Sequence, residues 1–379
     1  MSRYLGQAQA ISVLSDAYAS GRVAHAWIFH GPQGVGKRTC AELFAAALLH
    51  EGEARPGTGR TARDLTGWWG SDAHQIVAAG KAAGFHLIRK ELAKFSDDAD
   101  IRARKQTTIP IDVLREFLIE PAARSAARRD GGESSQAGTQ KVFVVDEAEL
   151  LADPAQNVLL KTLEEPARGM VVILITAAED RLLPTIRSRC QRVAFTALSD
   201  PEMAEWLEDR HPGVNAAQRR WLLHFAEGSP GQAQAAVEYD LHSWHSQIGP
   251  MVDSIAGGRF PAGAGNALEA LVKEFADARV AALGEAGSKE AANKLGARYL
   301  FQVLGCEIRT QMRAAVKDRR RPELERALGF LDCVRAAESA IARNVNLGLV
   351  MSDLVITMSE AQRLAVEGQQ MARSAPSKS

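Results

Sequence analysis

Residues 26–39 read AWIFHGPQGVGKRT, which joins an apolar run of strand character to a glycine-rich loop and the beginning of a helix. Glycines at three loop positions allow backbone N–H groups to crowd around a phosphate, and the N-terminus of the following helix favours negative charge. The lysine that ends the loop can reach the outer phosphates of a nucleotide. This is the arrangement of a P-loop. The predicted nucleotide-binding residues are Gly31, Gly34, Val35, Gly36, Lys37, Arg38 and Thr39.

The residue directly after the lysine departs from the P-loop pattern. Ser or Thr is expected there because its hydroxyl holds Mg²⁺, but this chain has Arg38. Thr39 does not obviously replace that hydroxyl, since one helical position turns a side chain by about 100°. The alternative to a P-loop is a tight strand-to-helix connection that binds nothing, and the spacing of the glycines and Lys37 favours the P-loop. We therefore expect ATP with Mg²⁺ as the cofactor, while Arg38 argues against efficient hydrolysis.

The composition is that of a soluble globular protein, with 379 residues of which 46% are hydrophobic and 24% are charged. This length suits two or three domains better than one core. Lysine and arginine together number 46, as do aspartate and glutamate, so no overall basic field would attract nucleic acid. Any contact with DNA should depend on a local patch or on partner subunits.

The four cysteines are widely separated and form no C-x-x-C pair, which predicts neither a local zinc site nor a disulfide framework. Reduced thiols are typical of a cytoplasmic protein. The first residues contain no apolar signal segment, and no later stretch is suited to a membrane span. We therefore expect a cytoplasmic protein without membrane contact. The cysteines are Cys40, Cys190, Cys306 and Cys333.

Apolar runs of the fully buried type alternate with helical periods over residues 1–196, which predicts an α/β domain with a mostly parallel sheet. A short helical segment follows at 197–241, and residues 242–366 show helical periods with no convincing strand. The tail at 367–379 should be disordered. The predicted strands lie at 26–30, 85–88, 141–147, 170–176 and 191–195.

Helical spacing in the first domain predicts a helix at 7–20, one from Ile111 toward Pro121, one at 157–165 and one at 181–188. Residues 50–83 are rich in Gly, Ala, Arg and Asp and indicate little structure. The charged residues at 95–107 predict an exposed loop.

Two acids end one of the buried strands. Ligands of an α/β sheet bind at the carboxyl ends of the strands, so Asp146 and Glu147 should lie beside the P-loop. Asp146 could hold Mg²⁺ directly or through water, and Glu147 could act as a general base toward the attacking water. Acids after a strand also serve as helix N-caps, which is the alternative. Thr176 ends another strand, and its hydroxyl could reach a γ-phosphate or could bond only to backbone.

In this order the motifs resemble those of bacterial DNA polymerase III clamp-loader subunits, which are AAA+ proteins, and the delta prime subunits most closely. The most specific match is NVLLKTLEEP at residues 157–166, where the family has Asn-Ala-Leu-Leu-Lys-Thr-Leu-Glu-Glu-Pro. Ser188, Arg189 and Cys190 match the Ser-Arg-Cys segment of the family. Further matches lie at Gly6-Gln7, at 21–26, at the Walker B strand 144–148 and at 344–347.

The resemblance implies an AAA+ P-loop domain at 1–196, a small helical lid at 197–241 and an all-α collar at 242–366. Thr176 falls at the sensor 1 position of the family. Arg189 falls where the arginine finger of the family reaches into the nucleotide site of the neighbouring subunit. The alternative for Arg189 is an ordinary surface arginine.

The implied partners are the gamma/tau and delta subunits in a ring of five, with the sliding clamp and primer–template DNA contacted through the complex. Assembly through the collar needs an apolar helix face, and such a face could equally belong to an ordinary intramolecular core. The candidate residues are Leu300, Phe301, Leu304, Ile308, Leu347, Val350 and Leu354.

Three departures from the family pattern bear on activity. Arg38 replaces the metal-binding hydroxyl, Gln232 stands where many ATPase members have the sensor 2 arginine, and residues 69–80 lack the four cysteines of a zinc module that many relatives carry there. The first two favour a delta prime-like component of the DNA polymerase III holoenzyme, with weak or no ATPase of its own, that takes part in ATP-dependent clamp loading and lends Arg189. The third departure predicts that the chain has no zinc site.

Two other functions fit the motifs less well. One is an active, gamma/tau-like ATPase motor of the same complex, which would use Lys37, Asp146 and Glu147. The other is a stand-alone AAA+ recombination helicase motor, which would need Ser or Thr at position 38, a sensor 2 arginine and a basic winged helix at the C-terminus.

Overall fold

The computed structural model describes residues 4–50, 65–96, 108–127, 141–284 and 288–374.

Two compact units make up the chain. One comprises residues 1–214 with 226–231, and the other comprises 215–225 with 232–379. The boundaries predicted from the sequence, near 196 and 241, divide the chain differently, and that division into three domains remains a prediction.

The described part of the first unit contains five parallel strands in one sheet, whose order is β2-β3-β4-β1-β5. This confirms the predicted α/β class, and each predicted strand is present. Successive β4 residues are buried on both faces of the sheet, as expected for a strand with a neighbour on each side. The strands are β1 Ala26–His30, β2 Phe85–Ile88, β3 Lys141–Val145, β4 Met170–Thr176 and β5 Gln191–Ala194.

Helices cover both faces of this sheet, and each face has its own apolar core. The helices are α1 Ala8–Ala19, α2 Lys37–Leu49, α3 Asp72–Ala78, α4 Ile111–Leu114, α5 Glu120–Ala127, α6 Asp153–Glu164, α7 Pro184–Arg187 and α8 Asp200–Arg210. Short 3-10 helices lie at Leu65–Trp68, Lys90–Phe95, Ala148–Leu150 and Glu179–Arg181.

The two cores alternate along each strand. Trp27 and Phe29 of β1 pack with α1 and α2, where the rings of Trp27 and Phe44 meet edge to face at 5.5 Å. Ile28 of β1 and Phe143 of β3 point to the opposite face and pack with α4 and α6. This period of two places successive side chains of a strand in opposite cores.

The helix predicted from Ile111 toward Pro121 is present, and it continues past the proline. α4 passes into a π-helical turn, Arg115–Ile119, and α5 then carries the chain through Pro121. A wider turn of this kind before a proline changes the local hydrogen-bond spacing, so the missing proline N–H does not stop the helix.

The predicted single helix at 181–188 was wrong. The chain forms the 3-10 helix Glu179–Arg181, then two extended residues, and then the short α7. Pro184 is the first residue of α7, where its missing N–H costs nothing, and it disfavours helical geometry at the preceding Leu183. Most of the predicted loop at 95–107 lies outside the described residues.

The second unit is helical throughout its described part, as predicted. Its helices are α9 Ala216–Ala226, which ends in the first unit, α10 Pro230–Glu238, which begins there, α11 Leu241–Ala256, α12 Ala264–Leu283, α13 Lys289–Lys317, α14 Arg321–Ala342 and α15 Leu347–Ser374. Because α15 extends to Ser374, it covers residues 367–374, where the sequence predicted disorder. Residues 375–379 lie outside the described residues.

The apolar residues proposed for assembly of the collar are mostly buried within the second unit itself. Leu300, Leu304 and Ile308 of α13 are fully buried, and Val350 and Leu354 of α15 are 4% and 1% exposed. They therefore form an intramolecular core, which was the alternative. Exposed apolar side chains of the same unit include Val316, Leu328, Leu349, Ile356 and Leu364.

No described helix combines the length and the apolar character that a bilayer-spanning segment requires.

Candidate functional site

The carboxyl ends of three neighbouring strands bring the glycine-rich loop to the same sheet edge as the two acids. His30 at the end of β1 pairs in register with Thr176 at the end of β4, and Val145 of β3 pairs with Leu174. The loop that follows His30 and the Asp146 that follows Val145 therefore leave the sheet on one side, where α/β proteins bind ligands.

Backbone geometry in the loop requires glycine. Gly31, Gly34 and Gly36 have φ angles of 142°, 76° and 99°, a region that other residues rarely adopt. A Cβ atom on Gly31 would lie 2.0 Å from the carbonyl oxygen of Phe195. Residues 33 and 34 form a turn closed by the Val35 N–H, and the N–H groups of residues 33, 34 and 36–39 donate to no backbone carbonyl of the described residues, so these are free to surround an anion.

The carbonyl oxygens of residues 33–36 are each held by a donor from elsewhere in the first unit. These four hydrogen bonds fix the loop so that its carbonyl groups are bonded, while the N–H groups of residues 33, 34 and 36–39 remain free. In the order of the four carbonyls, the donors are Ser229 Oγ at 3.0 Å, Gly231 N at 2.8 Å, Gln7 Nε2 at 3.1 Å and Tyr4 Oη at 3.4 Å.

Gln7 organises the loop in a way that the sequence did not reveal. Its amide nitrogen also donates to the Thr196 carbonyl at 2.7 Å, and its amide oxygen accepts from the Thr196 N–H at 3.1 Å. One buried side chain thus joins the N-terminal segment, the loop and the chain just after β5. The partner is 189 positions away, so only the resemblance at Gly6-Gln7 hinted at this residue.

Lys37 is folded back onto its own loop. Its Nζ donates to the carbonyl oxygens of Gly31 and Pro32, each at 2.6 Å, and the residue is 6% exposed. Burial lowers the pKa of Lys37, and the charges of Glu149 and Asp146 oppose this shift. A bound phosphate would have to take over these two hydrogen bonds.

Arg38 lies beside the acids. Its Nε donates to Glu42 Oε1 at 2.8 Å, one helical turn further along α2. Burial raises the pKa of Glu42, while Arg38 acts to lower it. The adjacent Thr39 is the third residue of α2 and half-buried, and its hydroxyl forms no hydrogen bond with another described residue.

The two acids have different surroundings. Asp146 Oδ1 accepts from the Glu147 N–H at 3.1 Å, and burial raises the pKa of Asp146 while Arg38 lowers it. Glu147 has a φ of 53° and pairs with Lys90, with Oε2 and Nζ 2.7 Å apart. The carboxylate predicted to be a general base is therefore engaged by a cation in this structure.

Thr176 is buried and its hydroxyl bonds to backbone. Its Oγ1 accepts from the Ala178 N–H at 3.0 Å, and its carbonyl accepts from the Gly31 N–H at 3.3 Å. The residue thus lies next to the loop, as its predicted position requires, but the hydroxyl has the backbone partner of the alternative interpretation.

Glu149 is a further acid near the loop that the sequence did not single out. Its Oε1 accepts from the Ala177 N–H at 3.4 Å, and its buried Oε2 has no hydrogen-bond partner among the described residues. Its negative charge acts on Lys37. It lies in the short helix that follows Glu147, and no motif marks that position.

Arg189 lies at the surface directly after α7. Its Nη2 is 2.7 Å from Glu164 Oε1, its Nη1 donates to the Thr185 carbonyl at 3.1 Å, and 38% of the side chain is exposed. The following Cys190 is buried, and burial raises the pKa of its thiol to about 12. The segment thus anchors a buried cysteine while its arginine stays accessible from solvent.

A family model described as "DNA polymerase III, delta subunit" matches residues 6–199 of this chain. The chain belongs to this family. A DNA polymerase III subunit delta′ of Pseudomonas aeruginosa is 32% identical over 228 residues, which are 59% of this chain and 59% of that protein. DNA polymerase III subunit tau of Escherichia coli is 27% identical over 292 residues, which are 75% of this chain and 40% of that protein.

The chain spans 59% and 40% of the lengths of these two relatives. A solved gamma subunit-related protein of Thermotoga maritima superposes on 92% of this chain and 99% of its own, with a TM-score of 0.44 and 16% identity.

Within this DNA polymerase III family member, a buried glutamine positions the segment that leads to Arg189. Gln156 of α6 is 2% exposed. Its Nε2 donates to the carbonyls of Leu151 at 3.1 Å and Arg181 at 3.2 Å, and its Oε1 accepts from the Leu183 N–H at 2.8 Å. The sequence missed it because a glutamine with partners 25 and 27 positions away leaves no local pattern.

Replacing Gln156 with alanine is expected to lower the free energy of unfolding by about 1–3 kcal/mol, because buried backbone groups lose their partners. Asn157→Ala is the matched control, since this neighbour on the same helix is exposed, and its effect should be about 0.5 kcal/mol or less. Urea unfolding followed by circular dichroism measures both. Equal effects would show that the Gln156 hydrogen bonds do not stabilise the fold.

The region where many relatives carry a zinc module is filled by apolar packing. Ala73 and Val77 are buried in the same apolar core as α2, and Trp69 packs against it. Ser71 caps α3 by accepting from the His74 N–H. The described residues contain no group of three His, Cys, Asp or Glu side chains placed to hold a metal ion. That the chain uses no zinc remains a prediction.

The residues at the nucleotide site do not fit the Mg²⁺ that a P-loop normally holds. Mg²⁺ requires oxygen ligands, and the position that would supply a hydroxyl carries the guanidinium of Arg38. That guanidinium is bonded to Glu42 and acts on Asp146, the remaining candidate ligand. A second positive charge at this point would be repelled.

Proposed function

We propose that this chain is a delta prime-like subunit of the DNA polymerase III clamp loader. It takes part in ATP-dependent loading of the sliding clamp on primed DNA, and it supplies Arg189 to the nucleotide site of a neighbouring subunit. The observation that carries the proposal is a contrast between two cations: the Arg189 side chain is 38% exposed in an ion pair with the similarly accessible Glu164, while Lys37 of the chain's own site is 6% exposed and bonded to two carbonyls of its own loop.

The local geometry suits an arginine that acts in trans. Arg189 and Glu164 are 38% and 44% exposed, and an ion pair exposed to this degree stabilises a protein by only about 0–1 kcal/mol. A phosphate group offers the guanidinium a stronger, charge-assisted and bidentate contact. Arg189 can therefore leave Glu164 when a neighbour presents a nucleotide. There its charge would neutralise the transferring phosphoryl group.

Assembly with gamma/tau and delta subunits in a ring of five belongs to the same proposal, as do contacts with the clamp and primer–template DNA. The second unit would provide the collar. Since its predicted apolar face is internal, contacts would use other side chains, such as the exposed Leu349 and Leu364 of α15. Because the formal net charge is zero, contact with DNA would depend on a local basic patch or on the other subunits.

The isolated chain is expected to hydrolyse ATP at the background rate, because its P-loop lysine, metal position and candidate base are all engaged. Steady-state phosphate release by the purified chain measures this. Robust turnover that is lost in Lys37→Ala would contradict the expectation and would indicate a motor subunit instead.

An active gamma/tau-like motor is the second candidate function. It is favoured by the similarity to Escherichia coli tau over 75% of this chain and by the presence of Lys37, Asp146 and Glu147 at the sheet edge. The side-chain contacts of Lys37 and Glu147 weigh against it.

A further inference from the structure

The start of α2 places a positive charge of the protein itself where a P-loop normally positions a metal ion. Arg38 directly follows the P-loop lysine, and its Nε is bonded to Glu42 at 2.8 Å. Its two terminal nitrogens form no hydrogen bond or ion pair with another described residue. An arginine has five N–H donors, so four of them remain for a ligand.

The carboxylates near this point are already balanced by guanidinium groups. Asp146 N donates to the Ile88 carbonyl at 2.9 Å, which places Arg89, the next residue after β2, alongside Asp146 on the neighbouring strand. The positive charges of Arg38 and Arg89 both act to lower the pKa of Asp146 and of Glu42, against the effect of burial. Two guanidinium groups thus act on the charges of Asp146 and Glu42, and Arg38 is bonded directly to Glu42.

We propose that the P-loop of this chain binds a nucleoside polyphosphate without a divalent metal ion, with Arg38 in the place of the metal. The free N–H groups of residues 33, 34 and 36–39 and the Lys37 side chain would hold the phosphates, and Arg38 would contact the oxygens that Mg²⁺ contacts in other P-loops. Bound in this way, the nucleotide stabilises the loop and is not hydrolysed, since no metal activates it.

Metal-free binding follows from charge and ligand type. An arginine is positively charged at every physiological pH and cannot become a metal ligand. Mg²⁺ would have to bind beside the guanidinium of Arg38, which is bonded to Glu42 and whose charge acts on Asp146, and it would gain no hydroxyl in return. A nucleotide without Mg²⁺ brings no second cation to the site, so nothing competes with Arg38 for the phosphate oxygens. The inference concerns the chain's own loop and does not depend on the trans role of Arg189.

The test is calorimetric titration of the full chain with ADP and with ATP, once in buffer with EDTA and once with excess Mg²⁺. The wild-type chain should bind with dissociation constants that agree within about twofold in the two buffers, or more tightly in EDTA. Arg38→Thr restores the hydroxyl and should make binding about tenfold tighter with Mg²⁺ than in EDTA. Arg38→Lys keeps a positive charge and should remain independent of Mg²⁺.

Three results would overturn the proposal. They are binding by the wild-type chain that is about tenfold tighter with Mg²⁺, no binding of either nucleotide in either buffer, and an Arg38→Thr chain that is as indifferent to Mg²⁺ as the wild type. Circular dichroism checks that each variant folds, Arg38→Ser is the substitute if Arg38→Thr does not, and the wild-type comparison decides by itself. The clamp-loader proposal is judged separately, by whether this chain stimulates motor subunits.

Discussion

Replacing Arg189 with alanine is expected to lower the DNA-stimulated ATPase of the assembled clamp loader by about 10³-fold or more at the site that this arginine completes. A guanidinium supplied in trans stabilises charge that develops in the transition state, so its loss lowers turnover while binding of ATP is less affected. Folding should be unchanged, because Arg189 is exposed and its only side-chain ion pair among the described residues is with Glu164.

Arg192→Ala is the matched control for this prediction. Arg192 is an exposed arginine three positions away, and its guanidinium is bonded to Glu179 at 2.5 and 2.8 Å. Single-turnover ATP hydrolysis by complexes reconstituted with each variant separates the two. An unchanged rate with Arg189→Ala would refute the trans role, and equal losses for both variants would indicate a general effect of surface charge.

Replacing Gly31 with alanine is expected to lower the free energy of unfolding by about 2–5 kcal/mol. A side chain at a positive φ costs about 1–2 kcal/mol, and the required shift of packed backbone costs about 1–3 kcal/mol. The shift is unavoidable because the new Cβ would lie 2.0 Å from the Phe195 carbonyl oxygen, which is rigid backbone at the end of β5. The same displacement would distort the nucleotide loop.

Gly80→Ala provides the control for Gly31→Ala. Gly80 has a φ of 68°, and a Cβ there would meet no atom within 4 Å, so only the conformational cost of about 1–2 kcal/mol remains. Guanidinium chloride unfolding of both variants measures the difference. Equal destabilisation would show that the contact with Phe195 does not constrain the loop.

The sequence predicted the sheet well because buried parallel strands are continuous apolar runs. Residues 170–176 are apolar up to Thr176, and the strand has these bounds in the structure. The prediction failed at 181–188, where Pro184 begins a short helix and does not lie inside a longer one. Pro121, in contrast, follows a π-helical turn and stays inside a helix.

The places of the candidate-site residues in the fold were easier to predict from the sequence than the orientations of their side chains. The P-loop and the two acids lie at one edge of the sheet, as the order of these motifs along the chain predicted. The partners of their side chains could not be predicted, because Lys90 approaches Glu147 from another element of the fold. Gln7 and Gln156 were missed for a related reason: they act through buried amide contacts to distant backbone, which follow only from the folded structure.

The central claim is that this chain contributes to ATP hydrolysis at the nucleotide site of a neighbouring subunit and hydrolyses little or no ATP at its own site. The most direct test measures ATP hydrolysis by motor subunits, sliding clamp and primed DNA against increasing amounts of this chain. We predict that turnover rises to a plateau as the chain is incorporated, while the chain alone hydrolyses nothing above background. Motor turnover that stays the same at every concentration of the chain would contradict the account.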